Sequence, residues 1–100
     1  MNPDRSAGPD ELLDGLAEEL TARGLAEQGD FYVTGRFPDQ VPSSEHIGIR
    51  YADGQFRVWY RDMGSSRTLV ETDDFDAARE RFVAESVALA RGRGRKVAGV

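Results

Sequence analysis

The chain contains no cysteine and only one histidine, His46, in its 100 residues. The absence of cysteine excludes disulfide bonds, thiolate catalysis, cysteine-ligated zinc and iron–sulfur clusters. One histidine is too few for a multi-histidine metal site or a conventional catalytic triad. The sequence also lacks a nucleophile elbow, a P-loop and a dinucleotide-binding glycine pattern. We therefore predict no catalytic residue, no metal and no cofactor.

Long apolar runs are also missing. No run approaches the ~18 residues that a membrane-spanning helix needs, and residues 1–10 contain no apolar signal-peptide core. We expect no membrane association and, because cysteine is absent, a reducing cytoplasmic location. With 39% hydrophobic and 31% charged residues, the composition is that of a folded protein of one domain.

Charge is distributed unevenly along the chain. Residues 1–90 carry nine arginines against 18 aspartates and glutamates, whereas residues 91–100 carry four cations and no acid. An acidic body repels nucleic acid and attracts basic partners. Glycines alternate with the arginines after residue 91 and free the backbone. We therefore predict a single domain over residues 1–90, with a frayed lead-in over residues 1–8, and a basic, disordered tail over residues 91–100.

Two segments have helical periodicity. The first, residues 9–23, begins with Pro9 at a favoured N-terminal position and precedes Gly24 as a stop signal. The second is capped by Asp73 and ends at Gly92. Apolar residues recur at intervals of three and four in both segments: Leu13, Leu16, Ala17 and Leu20 in the first, and Phe75, Ala78, Phe82, Ser86 and Leu89 in the second.

Between the helices the pattern alternates with a period of two, which is typical of strands. We predict four strands, over residues 31–37, 46–51, 55–61 and 67–72. Asp53 and Gly54 favour a two-residue type I′ hairpin turn between the middle strands. The predicted fold is α+β: a four-stranded antiparallel meander flanked by an N-terminal and a C-terminal helix, in the order α-β-β-β-β-α.

The Asp53–Gly54 turn also predicts the register, because Ala52 must then pair with Gln55. One sheet face becomes apolar, with the pairs Tyr51–Phe56, Ile49–Val58 and Ile47–Tyr60. The other face carries the pairs Arg50–Arg57, Gly48–Trp59 and His46–Arg61, and Trp59 can cover the bare backbone of Gly48.

A five-residue loop over residues 62–66 would place Leu69 opposite Trp59, Glu71 opposite Arg57 and Arg67 opposite Arg61. Tryptophan, tyrosine and arginine are enriched at binding hot spots. We therefore predict a partner-binding face made of Trp59, Leu69, Tyr32, Arg36, Arg50, Arg57, Arg61 and Arg67. The alternative is that the first helix covers this face, so that Trp59 and Leu69 form a second small core.

Three smaller features have structural interpretations that we favour over functional ones. His46 is expected to be a surface histidine rather than a general base. Residues 64–67 could bind an anion through their hydroxyls and Arg67, but a solvated turn is the simpler reading. The carboxylates of Asp73, Asp74 and Asp76 suit a helix start, and their spacing is not that of a calcium loop.

One segment resembles a known group of proteins. Residues 53–64, DGQFRVWYRDMG, contain a Gly-x-x-x-Val-x-Tyr strand and are followed by the acidic helix start DDFDAA at residues 73–78. This pattern is similar to small immunity proteins and toxin-associated domains of bacterial polymorphic toxin systems, over roughly residues 30–90. The resemblance implies a cytoplasmic, non-catalytic bacterial antidote that blocks the active site of a toxin.

We accordingly predict a protein-binding module whose partner is a basic toxin domain. The alternative is a single-stranded nucleic-acid-binding domain in which Tyr32, Trp59 and the arginines stack on bases, although the acidic body disfavours nucleic acid. Homodimerisation through an exposed edge strand is a further alternative.

Overall fold

The computed structural model describes residues 8–37 and 39–98. The elements are α1 (Pro9–Ala22), β1 (Phe31–Val33), β2 (Glu45–Ala52), β3 (Gln55–Asp62), β4 (Ser65–Thr72) and α2 (Phe75–Gly92). The predicted α+β class and the order α-β-β-β-β-α are confirmed. Most of the expected lead-in, residues 1–7, and the last two residues of the expected tail lie outside the described residues.

The sheet has the strand order β1-β2-β3-β4, and its first pair differs from the predicted meander. β1 runs parallel to β2, with Tyr32 opposite Gly48, and the other pairs are antiparallel. Residues 34–44 are long enough to return the chain along the sheet, as a parallel pair requires. The Ser43 amide donates a hydrogen bond to the Gln28 carbonyl at 2.7 Å, which holds the end of this connection beside the start of β1.

The β2–β3 hairpin has the predicted register at every pair from Ala52–Gln55 to His46–Arg61. Its turn is of type I′, because both central residues have positive φ: 56° at Asp53 and 80° at Gly54. The local turn chemistry therefore determines which side chains share each face of these two strands.

The β3–β4 hairpin has a shorter turn than predicted. Asp62 pairs with Ser65, so the turn contains only Met63 and Gly64. The resulting one-residue shift is compensated by a β-bulge, because Val58 pairs with Val70 whereas Trp59 pairs with Thr68. Leu69 is the extra residue of this bulge. The predicted pairs Trp59–Leu69 and Arg61–Arg67 are therefore wrong, and the pair Arg57–Glu71 is confirmed.

Both helices pack on one face of the sheet, where they form the core. The rings of Phe31 and Phe82 meet edge to face, with centroids 6.0 Å apart. Buried apolar residues include Leu13, Leu16, Ala17 and Leu20 from α1, Ala78, Phe82, Val87 and Ala90 from α2, and Phe31, Val33, Ile47, Ile49, Phe56 and Val58 from the sheet. Because α1 packs on this face, the alternative in which it covers Trp59 on the other face is wrong.

Within residues 8–37 and 39–98, no helix is long and apolar enough to cross a membrane.

The start of α2 differs by one residue from the prediction. Asp74, rather than Asp73, is the N-cap, and its carboxylate accepts a hydrogen bond of 3.0 Å from the Asp76 amide. The Asp74 amide in turn donates to the Thr72 hydroxyl at 3.0 Å. Side-chain capping and the favourable interaction of acids with the helix dipole thus account for these carboxylates.

The end of α2 continues into an ordered segment rather than a disordered tail. The Arg95 amide donates to the Ala90 carbonyl at 3.0 Å and the Gly94 amide to the Arg91 carbonyl at 2.9 Å. Gly94 has a φ of 82°, so these bonds form a Schellman motif with glycine in the left-handed position. Further along, the Ala98 amide donates to the Arg23 carbonyl at 2.9 Å.

The Schellman motif directs two arginines onto Asp30, whose carboxylate is fully buried. Arg93 Nη1 lies 2.9 Å from Oδ1 and Arg95 Nε lies 2.5 Å from Oδ2. Burial raises the pKa of Asp30, but hydrogen bonds from the Ala26 amide, Arg95 and Arg93 outweigh it, so the pKa lies below its ordinary value. The tail glycines by themselves predict flexibility, because the sequence alone does not show this distant carboxylate.

Candidate functional site

The sheet face opposite the helices carries a groove of about 920 Å³, which we call the open-face groove. It lies over β2 and β3, and the connection before β2 and the Met63–Gly64 turn border one end. Its lining residues are Tyr32, Thr34, Val41, Pro42, Ser43, Ser44, His46, Arg50, Arg57, Trp59, Arg61, Met63, Gly64, Ser66 and Thr68.

Trp59 lies at the centre of the open-face groove and is half-buried. Its indole rests on Gly48, as predicted, and a Cβ atom at Gly48 would overlap the ring. The Tyr32 ring meets the indole edge to face, with centroids 6.4 Å apart. Glycine at position 48 is thus what allows a large aromatic ring to lie flat against the sheet.

His46 is buried, with 2% of its surface exposed, so its prediction as a surface residue is wrong. Its Nδ1 atom lies 2.8 Å from the Ser43 carbonyl, and its ring meets Tyr32 at a centroid distance of 5.6 Å. Burial lowers the pKa of His46, the Ser43 bond opposes this, and the charges of Arg61 and Arg93 lower it further. The histidine is therefore a neutral ring that supports the base of the groove at neutral pH.

Arginines lie at both ends of the open-face groove. Arg50 and Arg57 are opposite each other beyond Trp59 on one side, and Arg61 is opposite His46 on the other. Arg57 forms an ion pair with Glu71 at 2.8 Å, and Arg61 Nη1 donates to the Ser66 hydroxyl at 2.9 Å. Arg50 makes no ion pair within the part of the chain that the structure describes.

The charge of the open-face groove is opposite to that of the whole chain. Three arginines line it, and none of its described lining residues is an aspartate or glutamate. The chain as a whole has a net charge of −5. At close range the groove therefore attracts carboxylates or phosphates rather than cations.

Two exposed apolar residues, which sequence analysis did not identify, border the end of the groove near Arg61. Val41 is 89% exposed and Met63 is 80% exposed, and both line the groove. A hydrogen bond of 3.1 Å from the Met63 amide to the Ser44 carbonyl joins the two segments that carry them. This bond continues the β2–β3 register by one pair beyond Glu45–Asp62, so the hairpin itself brings Met63 beside the segment that precedes β2.

The structure brings together five of the eight predicted site residues: Tyr32, Arg50, Arg57, Trp59 and Arg61. Leu69 packs against the core because it is the extra residue of the bulge. Arg67 lies over the Tyr60 ring, 5.7 Å from its centroid, and so points to the helix side.

Arg36 is also absent from the open-face groove. Its guanidinium pairs with Glu27 at 2.7 Å and with Asp14 of α1 at 2.8 Å. The predicted first strand was too long: β1 ends at Val33, and a turn over residues 34–36 carries Arg36 towards α1. Its position in the predicted face, together with those of Leu69 and Arg67, is therefore wrong.

The other candidate sites do not assemble. Within residues 8–37 and 39–98, no three histidine, aspartate or glutamate side chains come close enough to hold a metal ion. Residues 64–67 do not form the possible anion site either, because Ser66 and Arg67 point to opposite faces of the sheet and the Arg67 guanidinium lies away from the Ser66 hydroxyl.

Comparison with known proteins gives no further guide. No family model matches the chain, and no curated protein and no solved structure is significantly similar to it. The interpretation of the open-face groove therefore depends on its own residues.

Proposed function

We propose that this protein is a non-catalytic protein-binding module and that its partner binds in the open-face groove. The observation that carries the proposal is a half-buried tryptophan, Trp59, between arginines on a sheet face that no described helix covers. Tryptophan and arginine in a partly enclosed pocket are the residues that most often dominate protein binding energies.

The groove side chains are largely held in place before a partner binds. The indole rests on Gly48 and contacts the edge of Tyr32, while His46 is fixed by the Ser43 carbonyl. Side chains that are already ordered lose little conformational entropy on association. The free protein can therefore use most of the contact energy of Trp59 for affinity.

Within this class we propose the role that the resemblance implies, a cytoplasmic bacterial immunity protein that blocks a toxin. The net charge of −5 supports long-range attraction of a basic toxin domain. Exposed acids such as Glu11, Asp14 and Glu18 on α1 provide a surface for such a domain. Contact at the groove itself requires acidic or apolar groups on the toxin, because the groove is lined by arginines.

Single-stranded nucleic acid is a second candidate ligand, favoured by the presence of Tyr32, Trp59 and three arginines in one groove. Such platforms bind by base stacking and phosphate contacts. The acidic surface outside the groove opposes this function, because a long polyanion extends beyond the arginines and meets repulsion.

The test is affinity capture followed by measurement with the purified partner. The wild-type protein and the Trp59→Ala variant are immobilised, a lysate of the source organism is applied, and proteins lost only from the variant are identified. The binding affinity of the purified candidate is then measured by calorimetry. We expect Trp59→Ala to weaken binding by at least ~2 kcal/mol while the thermal unfolding transition stays close to that of the wild type.

Tyr51→Ala is the matched control, because Tyr51 is an exposed aromatic residue of the same sheet that pairs with Phe56 on the helix side. A partner whose affinity is lowered by Tyr51→Ala but not by Trp59→Ala would contradict binding at the open-face groove. For the immunity role, the captured partner should inhibit bacterial growth when it is expressed alone, and co-expression of the wild-type protein should restore growth; a partner that is not toxic, or failure of the wild-type protein to restore growth, would rule that role out.

A further inference from the structure

We propose that the open-face groove recognises an extended acidic segment of its protein partner, in which two carboxylates four residues apart flank one apolar side chain. This inference rests on the proposed protein-binding function and adds the chemistry of the partner. It is carried by the order of charged and aromatic side chains along the groove.

The spacing follows from the register of β3. On this strand Arg57, Trp59 and Arg61 lie on the same face at successive alternate positions, so Trp59 is midway between the two cations. At ~3.3 Å per strand residue, Arg57 and Arg61 are separated by roughly 13 Å along the strand. An extended peptide laid along β3 also advances roughly 13 Å in four residues. Carboxylates at its first and fifth positions would therefore reach the arginines while the third side chain contacts the indole.

The two ends of the groove differ in how much charge they offer. Arg57 is partly neutralised by Glu71, but Arg50 lies opposite it and has no carboxylate partner among the described residues. At the other end, the only described side-chain partner of the Arg61 guanidinium is a neutral hydroxyl, that of Ser66. One carboxylate at each end therefore finds an arginine that no described acid neutralises, and charge-assisted hydrogen bonds of this kind are among the stronger ones.

The remaining apolar contacts favour a protein segment over nucleic acid. Val41 and Met63 extend the groove with exposed apolar surface next to Arg61. A peptide can supply an apolar side chain there, whereas a polynucleotide brings a phosphate for every base. A second copy of the chain is also disfavoured, because two arginine-lined grooves facing each other repel.

The experiment is a selection of random seven-residue peptides, displayed on phage, against the immobilised full-length protein. We expect enrichment of sequences with acidic residues four positions apart and an apolar residue midway. The most enriched peptide is then synthesised with a fluorescein label, and its affinity is measured by anisotropy. Replacing both of its acidic residues by their amides should weaken binding at least tenfold.

Protein variants test which arginines are used. We expect Arg50→Gln and Arg61→Gln each to weaken binding of the labelled peptide at least fivefold. Arg67→Gln is the matched control, because Arg67 is on the same sheet but lies over Tyr60 on the helix side, and it should change the affinity less than twofold. Enriched peptides without the acidic pair, or equal losses for Arg50→Gln and Arg67→Gln, would overturn the inference.

Two other occupants are outcomes of the same experiment. A labelled single-stranded RNA of twelve nucleotides that binds more tightly than the selected peptide would overturn the acidic-peptide assignment. A dimer in sedimentation that Trp59→Ala dissociates would do the same. If the captured partner loses affinity for Trp59→Ala but not for Arg50→Gln or Arg61→Gln, the inference fails and the proposed function stands; if Trp59→Ala has no effect, the proposed function itself fails.

Discussion

Gly48 and Trp59 are the two residues on which the shape of the open-face groove depends most directly. They are cross-strand partners in β2 and β3, and the indole occupies the space that a side chain at Gly48 would need. This pair was predictable from the sequence, because the Asp53–Gly54 turn determines the register and places a glycine opposite the only tryptophan. The burial of His46 was not predictable in the same way, because the segment that covers it approaches through the parallel connection.

Gly48→Ala should move the indole without unfolding the protein. The new methyl group overlaps the ring, so the side chain of Trp59 must rotate towards solvent. Overpacking of this kind typically costs 1–3 kcal/mol, and the better strand-forming tendency of alanine offsets roughly 0.5–1 kcal/mol of it. We expect a loss of about 1 kcal/mol in the free energy of unfolding, by the balance of these two ranges.

Trp59 is the only tryptophan, so its fluorescence reports the movement directly. The emission maximum of Gly48→Ala should shift to longer wavelength, and urea unfolding should give the loss of stability. Gly15→Ala on α1 is the control, because nothing lies within 4 Å of a Cβ atom there. An unchanged emission maximum in Gly48→Ala would show that the indole does not rest on residue 48.

At the scale of elements, the sequence predicted those features that depend on residues close together in the chain. The two helices, the type I′ hairpin and the alternation of β2 and β3 all follow from short stretches of sequence. The β3–β4 hairpin was harder, because Met63 is not a typical residue for a position with positive φ, although Gly64 follows it. The shorter turn shifts the register by one residue and displaces Leu69 and Arg67 from the predicted face, since each step of register reverses the side to which a strand residue points.

The ordered segment after α2 is the element that sequence reasoning missed most completely. Arginines separated by glycines suggested a flexible chain, but Gly94 completes a helix-terminating motif that positions Arg93 and Arg95. Their common partner, Asp30, is more than 60 residues earlier in the chain. A contact of such long range has no signature in local composition.

Removing both arginines should destabilise the protein, whereas a disordered tail would tolerate their loss. In the double variant Arg93→Gln/Arg95→Gln, the buried carboxylate of Asp30 keeps only the Ala26 amide as a described hydrogen-bond donor. Breaking a buried ion pair by removing one side costs about 3–5 kcal/mol. Since both arginines are partly exposed, we expect a loss of about 3 kcal/mol, measured by urea unfolding.

The control is Arg91→Gln/Lys96→Gln, which removes the same number of cations from exposed positions near the Schellman motif. Its free energy of unfolding should stay within about 0.5 kcal/mol of the wild type. Equal effects of the two double variants would mean that net charge, and not the contact with Asp30, is responsible.

At the scale of the whole molecule, charge is sorted by surface. Arginines collect in the open-face groove, while exposed acids are frequent on the helices. The same body can therefore attract a basic domain from a distance and bind carboxylates in the groove. Composition predicted the acidic body, and the register of the hairpin predicted a face that contains Trp59 and arginines, of which Arg50, Arg57 and Arg61 line the groove.

Two buried groups make the stability of the whole molecule depend on pH in one direction. His46 has a folded-state pKa below its ordinary value of 6.5, so the unfolded chain takes up its proton first as the pH falls, and stability decreases below that pH. Asp30 has a folded-state pKa below its ordinary value of 3.8. Its stabilising contribution is present above pH 3.8 and is lost as the pH falls from 3.8 through the folded-state pKa. Stability should therefore decline in two steps as the solution is acidified.

Urea unfolding at pH 7.5, 5.5 and 3 measures this decline. His46→Gln removes the only histidine and with it the contribution of His46 to the pH dependence. The free energy of unfolding of the variant should therefore change less between pH 7.5 and 5.5 than that of the wild type. Asp30→Asn should flatten the lower step in the same way. A wild-type protein that is more stable at pH 5.5 than at pH 7.5 would show that His46 is not held neutral.

The distance along the chain between Asp30 and its cations also governs how the protein can fold during translation. A nascent chain that has not yet reached Arg93 and Arg95 contains the carboxylate but neither guanidinium that neutralises it. Burying β1 beside β2 at that stage would place an unpaired charge in an apolar environment, which is strongly unfavourable. We therefore expect the hairpins to form first, and the parallel edge of β1 and β2 to become stable only with the segment beyond α2, which supplies the neutralising cations.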